Sequence, residues 1–427
     1  MRIFVGPAEV AGLAAGWTKG LREIGMSADL VCVYRHPFAY SDDTLPGLAA
    51  RSWARLICWR GALAHRQYIS RSVGFLLQVL VRWWVLVWAM QRYDAFVFIS
   101  GKTITDTGVE LALLRVAGKR VVVVFVGSDA RPPYIDGGLF PADRPFDAVA
   151  AARESQLQRR KVARLERGAS ACINAPATAH FHRRRLVNWF AVGIPREVSP
   201  ATRASRSGPV LRLLHSPSHA VLKGTASIRA MVERLNARGL AVELIIIEGR
   251  PNTEVLQAMR DCDLVVDQLY SDTPMAGFAT EGASHGRPVL VGGYRATAMK
   301  RDLAGLPMPP TCFVSPEDFE AALERLVRDS AARESLGAAA RAFVADQWSH
   351  AAVAQRLLRV LRGDVPAAWW YDPAKVDHLH GCGLSETVAR EHVRELIDCC
   401  GTSALQLDDK PTLREAFVKF ARDSAAD

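Results

Sequence analysis

Short apolar runs alternate with helix-like stretches along the first 195 residues of the chain. Apolar runs bounded by polar or turn residues predict buried strands, and the amphipathic stretches between them predict helices. Strands are predicted at 2–6, 28–33, 95–99, 120–126, 171–174 and 187–192, with a first helix near 13–24. Because strands that alternate with helices usually pair in parallel, this pattern predicts a doubly wound α/β domain.

The same alternation resumes after a stretch that has no periodicity. Residues 197–209 are rich in Ser, Pro, Arg and Ala, which is typical of an exposed connection, and we place a domain boundary there. Further strands are predicted at 211–215, 242–247, 264–267, 288–291 and 312–314. The sequence therefore predicts two Rossmann-like domains, 1–196 and 210–362, that face each other across a cleft, and a helical extension at 363–427.

Residues 263–294, DLVVDQLYSDTPMAGFATEGASHGRPVLVGGY, form the most informative stretch. Between two apolar runs, Thr273 and Pro274 predict the start of a helix, because threonine caps helices and proline suits their first turn. Gly277 then lies near the positive end of that helix, and Glu281 lies on the same face one turn deeper. A glycine admits a phosphate to backbone N–H groups, and a carboxylate accepts bonds from a ribose diol. The alternative is an ordinary amphipathic helix with a solvated Glu281.

A candidate phosphate-binding lysine follows the first strand of the second domain. In the segment HSPSHAVLKGT, Lys223 and Gly224 lead into a predicted helix, where they combine a point charge, close backbone approach and the helix dipole. The Gly-x4-Gly-Lys-Ser/Thr pattern is absent, which argues against an ATPase or a kinase. The Lys-Gly dipeptide is weak evidence alone, and it gains meaning because Gly277 and Glu281 begin at the same edge of the predicted sheet.

Two loops of the first domain follow predicted strands, and ligands bind at the carboxyl edge of open α/β sheets. The first loop, GPAEVAG, runs from Gly6 to Gly12, and simple turn chemistry is an equal interpretation of it. The second loop, GSDARPP, places Asp129 and Arg131 two residues apart after a run of valines. These two side chains can orient a polar substrate, or they can pair with each other.

An apolar stretch at 73–90 is nearly long enough to span a bilayer. Arg82 near its centre would cost about 2.5–3.5 kcal/mol in a span, and a single crossing would separate strands of one sheet. We therefore predict a helix that packs on the first domain and touches a membrane surface, the alternative being a plain core helix. The tryptophans expected at that surface are Trp83, Trp84 and Trp88. Basic runs at 158–167 and 183–185 favour the same contact, although such runs are usually solvated faces.

Composition narrows the class of partner. A net charge of +10 and a pI near 9.4 favour an anionic partner, such as a nucleotide phosphate or an acidic lipid surface. No nucleic-acid-binding module surrounds the basic residues, so we predict no nucleic-acid partner. The eight cysteines are scattered, which suits buried thiols in a reducing compartment. With no leader before the first predicted strand, a cytoplasmic location is expected.

A zinc site near the end of the chain has only a weak signal. The histidines and cysteines concerned are His378, His380, Cys382, His392, Cys399 and Cys400. Their spacings match no standard zinc motif, and adjacent cysteines on a helix rarely bind one ion together. We predict no metal and no cofactor beyond a substrate nucleotide.

The segments LLHSPSHAVLKGT, VELIIIEGRPNTEVLQAMRDCDLVVDQ and GFATEGASHGRPVLV together resemble the donor-binding domain of GT-B glycosyltransferases, particularly family 4. The resemblance covers roughly residues 1–360 in layout and is strongest from 211 to 291. GKRVVVVFVGSDARPPY is similar to a Gly-Ser-Asp-x-Arg loop of bacterial relatives, AGLAAGWTKGLREIG to their first helix, and PEDFEAALERLVRDSAARESLGAAARAFV to their closing pattern.

The resemblance implies that a sugar is transferred from a nucleotide-sugar, held by the second domain, to an acceptor held by the first. Lys223 would bind the diphosphate, Glu281 the ribose, and the N–H groups of Gly277 and Phe278 the sugar or phosphates. The resemblance further assigns His219, Gly224 and Gly249 to the donor site. It assigns Gly6, Gly12, Asp129 and Arg131 to the acceptor site. The residues expected to take part in catalysis are Lys223, Glu281 and Asp129. The family generally retains anomeric configuration without a bound metal, by stabilising charge on the leaving diphosphate.

Three family positions are changed in this chain. The family has two acids spaced eight residues apart, and the position of the first falls on Thr273. The family's arginine shortly before the lysine is absent before Lys223, where His219 can partly substitute for it. The family's histidine after the fourth strand is missing as well. The resemblance as a whole still implies a retaining transferase that acts on a glycan or lipid-linked acceptor at the inner face of the cell membrane. The alternatives are a non-catalytic relative that binds a nucleotide-sugar or a partner, and a GT-B-fold nucleotide-sugar epimerase.

Overall fold

Two sheets organise the computed structural model of the chain, which describes residues 1–34, 45–62, 68–199, 210–303 and 305–423. The strands in these residues are β1 (Arg2–Gly6), β2 (Ser27–Leu30), β3 (Ala95–Ile99), β4 (Arg120–Val124), β5 (Ala171–Asn174), β6 (Leu186–Asn188), β7 (Leu211–His215), β8 (Val242–Ile246), β9 (Leu264–Val266), β10 (Val289–Gly292), β11 (Cys312–Val314) and β12 (Trp370–Tyr371). Residues 200–209 of the predicted connection lie outside the described residues.

Helices separate these strands as the apolar periodicity predicts. They are α1 (Leu13–Glu23), α2 (Gly47–Gly61), α3 (Tyr68–Arg92), α4 (Val109–Val116), α5 (Ala148–Gly168), α6 (Trp189–Val192), α7 (Ala220–Lys223), α8 (Thr225–Ala237), α9 (Asn252–Asp261), α10 (Gly277–Ser284), α11 (Met299–Leu303), α12 (Phe319–Arg328), α13 (Ser330–Gln347), α14 (His350–Arg362), α15 (Glu386–Cys400) and α16 (Pro411–Arg422).

The first sheet has the strand order β12-β6-β5-β4-β3-β1-β2, and the second has the order β11-β10-β9-β7-β8. All neighbouring strands pair in parallel except β12, which pairs antiparallel to β6 through Trp370 and Tyr371. Strand order reverses between β1 and β3 and between β7 and β9, as in doubly wound sheets. The predicted fold class, two Rossmann-like domains with a helical C-terminal extension, is confirmed.

The first sheet is buried on both faces because its strand residues alternate between two cores. Phe4, Phe96 and Phe98 point into one core, which α2, α3, α4 and α5 cover. Ile3 and Val97 point into the other, which α1 and α14 cover and which continues into the second domain. Both faces therefore depend on elements that lie far apart in sequence.

The chain returns to the first domain after its second sheet. Helix α14 packs on α1, where a side chain at Gly20 would collide with the carbonyl of His350. Helix α15 then packs beside α5, and α16 packs on α15, so that both cover the first core. Arg159 of α5 pairs with Asp409 of the extension at 3.0 Å, so the basic run at 158–167 is partly used inside the protein rather than offered to a membrane.

Two predicted element bounds are wrong for local reasons. Residues 187–192 are not one strand, because the Asn188 side chain accepts a bond from Phe190 N at 3.1 Å and caps the short helix α6. Helix α10 begins at Gly277, not near Pro274. Ser271 accepts from Thr273 N and donates to Thr273 O, which holds a turn where the helix start was expected.

Candidate functional site

The start of α10 lies at the carboxyl edge of the second sheet and lacks a capping side chain. Ala276 is the N-cap residue and accepts the first helical bond from Thr280 N through its carbonyl. The N–H groups of the first turn therefore have no side-chain partner, and they combine with the helix dipole to favour an anion. Gly277 and Phe278, predicted to face a donor, form this first turn.

Lys223 is held beside this helix by residues that follow β9. It ends α7, its Nζ donates to Gln268 Oε1 at 2.5 Å, and it lies 3.9 Å from Asp267 Oδ1. Gly224 takes a left-handed φ of 70° and starts α8, which brings the lysine to the sheet edge. Asp267 is 1% exposed, and in the described part of the chain its Oδ2 has no hydrogen-bond partner.

These elements enclose a cavity of about 270 Å³ between the two domains. It is lined by Val10, Ala11, Ser216, Pro217, Ser218, Lys223, Gly249, Arg250, Asn252, Val255, Asp267, Ala276, Gly277, Phe278 and Glu281. Five predicted donor residues, Lys223, Gly249, Gly277, Phe278 and Glu281, thus share one cavity. His219 caps α7 on the exposed surface and is not among the lining residues.

Glu281 is buried behind this cavity and already has a cation. Its Oε1 lies 3.1 Å from Arg196 Nη2 and accepts a bond from Asn252 Nδ2 at 3.4 Å. Burial raises the pKa of the Glu281 carboxyl, and the charge of Arg196 opposes that rise. Both bonds use Oε1, so in the described residues Oε2 stays free of hydrogen bonds. The carboxylate can therefore accept a diol while it keeps its cation.

Arg196 also ties the first domain to this site. Its Nη2 donates to the carbonyl of Ala11 at 2.6 Å. Ala11 has a left-handed φ of 51°, a conformation that costs an alanine roughly 1 kcal/mol. A Cβ added at Gly277 would lie 3.0 Å from the Ala11 side chain. The two domains thus come close together where Ala11 faces Gly277.

A second cavity, of about 130 Å³, lies on the first-domain side of this contact. Its walls are mostly apolar and come from both domains: Val10, Ala11, Leu13, Phe125, Val126, Gly127, Asn174, Ala175, Thr178, Trp189, Ile194, Asp272, Thr273, Met275, Ala276 and Gly277. The two cavities share Val10, Ala11, Ala276 and Gly277. A group bound in one would therefore lie next to a group bound in the other.

Asp129 is placed differently from its predicted role in orienting a substrate. Its Oδ1 accepts bonds from Val126 N and Gly127 N, both at 2.9 Å, and closes the loop after β4. Burial raises the pKa of the Asp129 carboxyl, while its backbone bonds and the nearby Lys161 oppose that rise. Asp129 is not among the residues that line either cavity in the described chain.

Arg131 neither lines a cavity nor pairs with Asp129. It is 4% exposed, and its Nη1 lies 2.9 Å from Asp136 Oδ2. Its Nε donates to Asp272 Oδ2 at 3.2 Å, and its Nη2 forms an ion pair with the same oxygen. Because Asp272 belongs to the second domain, Arg131 joins the two domains from behind the second cavity.

The two glycines of the first loop, Gly6 and Gly12, are required by the backbone conformation and its close packing. A side chain at Gly6 would collide with the carbonyl of Val31 on the neighbouring strand, and Gly12 takes a φ of 78° as the N-cap of α1. Neither is among the lining residues of the two cavities. The residues of this loop that do reach the cavities, Val10 and Ala11, were not singled out from the sequence.

Three charged residues in or beside the first cavity were not predicted from the sequence: Arg250 and Asp267 line it, and Arg196 pairs with its Glu281. Arg250 follows β8, Asp267 follows β9, and Arg196 follows α6. The position of the first two directly after strands is the signal that could have found them, because such residues gather at the carboxyl edge of the sheet. Arg250 supplies a cation to the cavity although no arginine closely precedes Lys223 in sequence.

A Gly-x-Ser-x-Gly pentapeptide at 282–286 has the spacing of a hydrolase nucleophile elbow, but its surroundings differ. Ser284 lies in the last turn of α10 rather than on a strand-to-helix turn. Its hydroxyl is buried and donates to Glu281 O at 2.7 Å. The serine therefore has no access to a substrate in either cavity.

The histidines near the end of the chain are spread over separate contacts. His392 stacks on Phe146 at 4.1 Å, and His380 lies 3.1 Å from Glu386. The His180 ring donates to the carbonyl of His378 at 2.7 Å. In the described residues, no group of three or more His, Cys, Asp or Glu side chains is placed to hold a metal ion.

No protein-family model and no curated protein sequence matches the chain. Among solved structures, an alpha-glucosyltransferase in complex with UDP-glucose and abasic-site DNA superposes with a TM-score of 0.51 at 11% identity, over 84% of this chain and 98% of that one. Anabaena HepE in complex with UDP gives 0.46 at 12% identity, over 85% and 100%. S. aureus TarM in complex with UDP gives 0.43 at 11% identity, over 66% of this chain and 59% of TarM.

These structural neighbours are GT-B glycosyltransferases. The superposition on the alpha-glucosyltransferase shows that this chain has the same two-domain fold, as the parallel sheets and the intervening cleft indicate. In open α/β sheets, ligands bind at the carboxyl edges of the strands, which is where both cavities lie.

Proposed function

We propose that the protein is a glycosyltransferase that moves a sugar from a nucleotide-sugar to a glycan or lipid-linked acceptor. The observation that carries the proposal is the donor cavity itself. It combines Lys223, the uncapped first turn of α10 and the buried carboxylate of Glu281, and it meets the second cavity at Gly277. A nucleoside diphosphate needs cations for its phosphates and an acceptor for its ribose, and this cavity supplies both.

In this proposal the donor diphosphate lies between Lys223, Arg250 and the first turn of α10. Gln268 and Asp267 hold the Lys223 ammonium at the sheet edge before any ligand binds. As the bond to the sugar breaks, negative charge grows on the diphosphate, and fixed cations and N–H groups stabilise that charge without moving. The acceptor hydroxyl enters from the second cavity, past Ala11 and Gly277.

We propose retention of anomeric configuration without a bound metal. In the described residues, each carboxylate that lines either of these two cavities lies within ion-pair distance of a cation: Asp267 with Lys223, Asp272 with Arg131 and Glu281 with Arg196. An inverting transferase needs a general base to take the acceptor proton, and paired acids suit that task poorly. The resemblance to family 4 supports the same choice.

A non-catalytic nucleotide-sugar-binding protein is the second candidate function. It is favoured by Thr273, which stands where the family pattern has an acid and which lines the second cavity. The ion pair between Glu281 and Arg196 also favours a binding protein, because it holds the Glu281 carboxylate in place for a ligand without a catalytic role for that carboxylate.

The test begins with a thermal-shift panel of UDP, GDP, ADP and CMP. Labelled nucleotide-sugars of the stabilising base are then incubated with a membrane lipid extract and wild-type protein, Lys223→Ala or Glu281→Ala. Lys419→Ala, an exposed lysine of α16, is the matched control. Transfer that is lost in the two site variants and kept in the control supports a transferase.

Other outcomes choose between the alternatives. Nucleotide binding without turnover on any acceptor favours the binding protein, and inversion of the free nucleotide-sugar favours an epimerase. If no nucleotide stabilises the wild-type protein, the donor cavity is misassigned and the proposal is overturned.

A further inference from the structure

Helix α3 exposes a continuous apolar stripe to solvent. The most exposed apolar side chains of this helix are Phe75, Leu76 and Leu80, at 62%, 61% and 58% of their free surface. The other exposed apolar residues of the helix are Val73, Leu77, Trp83, Trp84 and Val87. Positions 73, 76, 77, 80, 84 and 87 recur at three- and four-residue intervals, so they share one face of the helix.

The opposite face of α3 packs on the first domain through Val85, Leu86 and Ala89. In the described residues, α3 supplies the one helix long and apolar enough to cross a membrane, Ser72–Arg92, with a mean hydropathy of 1.8. Only 28% of this apolar segment is buried inside the protein, so α3 is not a core helix. A crossing is also excluded by the sheet, because β2 and β3, on either side of α3, both pair with β1.

The charged side chains of α2 and α3 are all of one sign. Helices α2 and α3 contain no aspartate or glutamate, and α2 carries Arg51 and Arg55 on its exposed side. Arg82, the charge near the centre of the apolar stretch, is turned inward: its Nη2 lies 2.9 Å from Asp106 Oδ2. An apolar stripe beside arginines, without acids, fits an anionic bilayer surface better than a neutral or basic partner.

The position of α3 relates this stripe to the cleft. Arg82 donates to Thr105 O at 3.1 Å and to Tyr34 Oη at 2.7 Å, and both partners lie beyond the carboxyl ends of β3 and β2. The part of α3 that precedes Arg82 therefore extends past this edge of the sheet by about 20 Å, at about 1.5 Å per residue. The second cavity lies at the same edge, where Phe125 follows β4 and Asn174 ends β5.

We propose that α2 and α3 form a docking surface that lies in the interface of an anionic bilayer and presents the second cavity to a lipid-anchored acceptor. The docking itself does not depend on the proposed function. The identity of the acceptor rests on it, because only a transferase would need an acceptor at the second cavity.

The test is flotation with vesicles of phosphatidylcholine alone or with phosphatidylglycerol. Wild-type protein is expected to float with the anionic vesicles at low salt and to be released as salt rises. The double variant Leu76→Asp/Leu80→Asp should float at least tenfold less. Val116→Asp is the matched control, because Val116 is 88% exposed on α4, next to the opposite edge of the sheet. The double variant Arg51→Gln/Arg55→Gln should bind anionic vesicles more weakly than wild-type protein and should bind vesicles of phosphatidylcholine alone to the same extent as wild-type protein.

Melting temperature, light scattering and nucleotide binding are measured on the same samples. All the variants should keep the wild-type melting temperature and nucleotide affinity, because the altered side chains are exposed and distant from the donor cavity. Wild-type protein that stays at the bottom with anionic vesicles overturns the proposal, as does a wild-type dimer that the double variant converts to monomer. Flotation without nucleotide binding would overturn the proposed function and leave the docking surface intact.

Discussion

Arg196 and Glu281 form an ion pair across the cleft, with Nη2 3.1 Å from Oε1. The arginine follows the last helix of the first domain and is bound to Ala11 of its first loop, while the glutamate lies on α10 of the second. A carboxylate expected to bind ribose is thus linked to the opposite domain before any ligand arrives. We therefore predict that closure of the domains and binding of the donor are coupled through Glu281.

This pair predicts a pH effect on nucleotide affinity. Burial raises the pKa of Glu281 and Arg196 lowers it, so Arg196→Gln should raise that pKa further. If the ionised carboxylate binds the ribose, affinity falls as pH falls through this pKa, and the fall should begin at a higher pH in Arg196→Gln. Titration calorimetry with the stabilising nucleotide from pH 8 to pH 5 measures this. Glu281→Gln should give a flat profile, and equal midpoints in wild type and Arg196→Gln would contradict the coupling.

The buried ion pairs of Arg131 predict a large loss of stability. Asp272→Ala leaves a guanidinium that is 4% exposed with only Asp136 to balance it, and breaking such a pair costs about 3–5 kcal/mol. Urea denaturation should show this loss. Asp364→Ala, which removes an exposed partner of Arg359, is the control and should cost about 1 kcal/mol or less. Equal effects of the two substitutions would show that the interdomain pair contributes little.

The close approach of Gly277 to Ala11 predicts a graded steric effect on donor binding. A methyl group at Gly277 would lie 3.0 Å from the Ala11 side chain, so Gly277→Ala requires a small shift and Gly277→Val a larger one. Nucleotide affinity should fall slightly in the first variant and at least tenfold, or about 1.4 kcal/mol, in the second. Thermal-shift titration with the stabilising nucleotide measures both. An unchanged affinity in Gly277→Val would place the ligand elsewhere.

His392 predicts part of the acid sensitivity of the extension. Burial lowers the pKa of this ring to about 4, against an ordinary value near 6.5. The unfolded chain therefore binds a proton more readily than the folded one, and stability present above pH 6.5 is lost as pH falls toward 4. His392→Phe keeps a ring on Phe146 and should reduce the loss in free energy of unfolding between pH 7.5 and pH 5 by on the order of 1 kcal/mol, measured by urea denaturation at each pH. An unchanged slope would show that other groups control it.

Local pattern predicted most of the fold. Strands such as Arg2–Gly6, Ala95–Ile99 and Leu211–His215 were predicted at their observed bounds, because buried parallel strands read as short apolar runs between turn residues. The start of α10 was missed because the Ser271 hydroxyl bonds to the backbone at Thr273, a competition that composition alone does not reveal. Strand β12 was missed because two residues carry no periodicity.

The sequence by itself determined the class of fold, and it predicted a site for a phosphate and a ribose from Lys223, Gly277 and Glu281, which follow strands of one sheet. Only the tertiary structure decided their partners. Arg131 pairs with Asp272, Asp129 accepts hydrogen bonds from its own loop, and Arg196 pairs with Glu281. A buried charge is stabilised by a nearby opposite charge or N–H group, whatever the distance in sequence between them. Periodicity is local and can be read from the chain, whereas such pairing depends on which elements fold together.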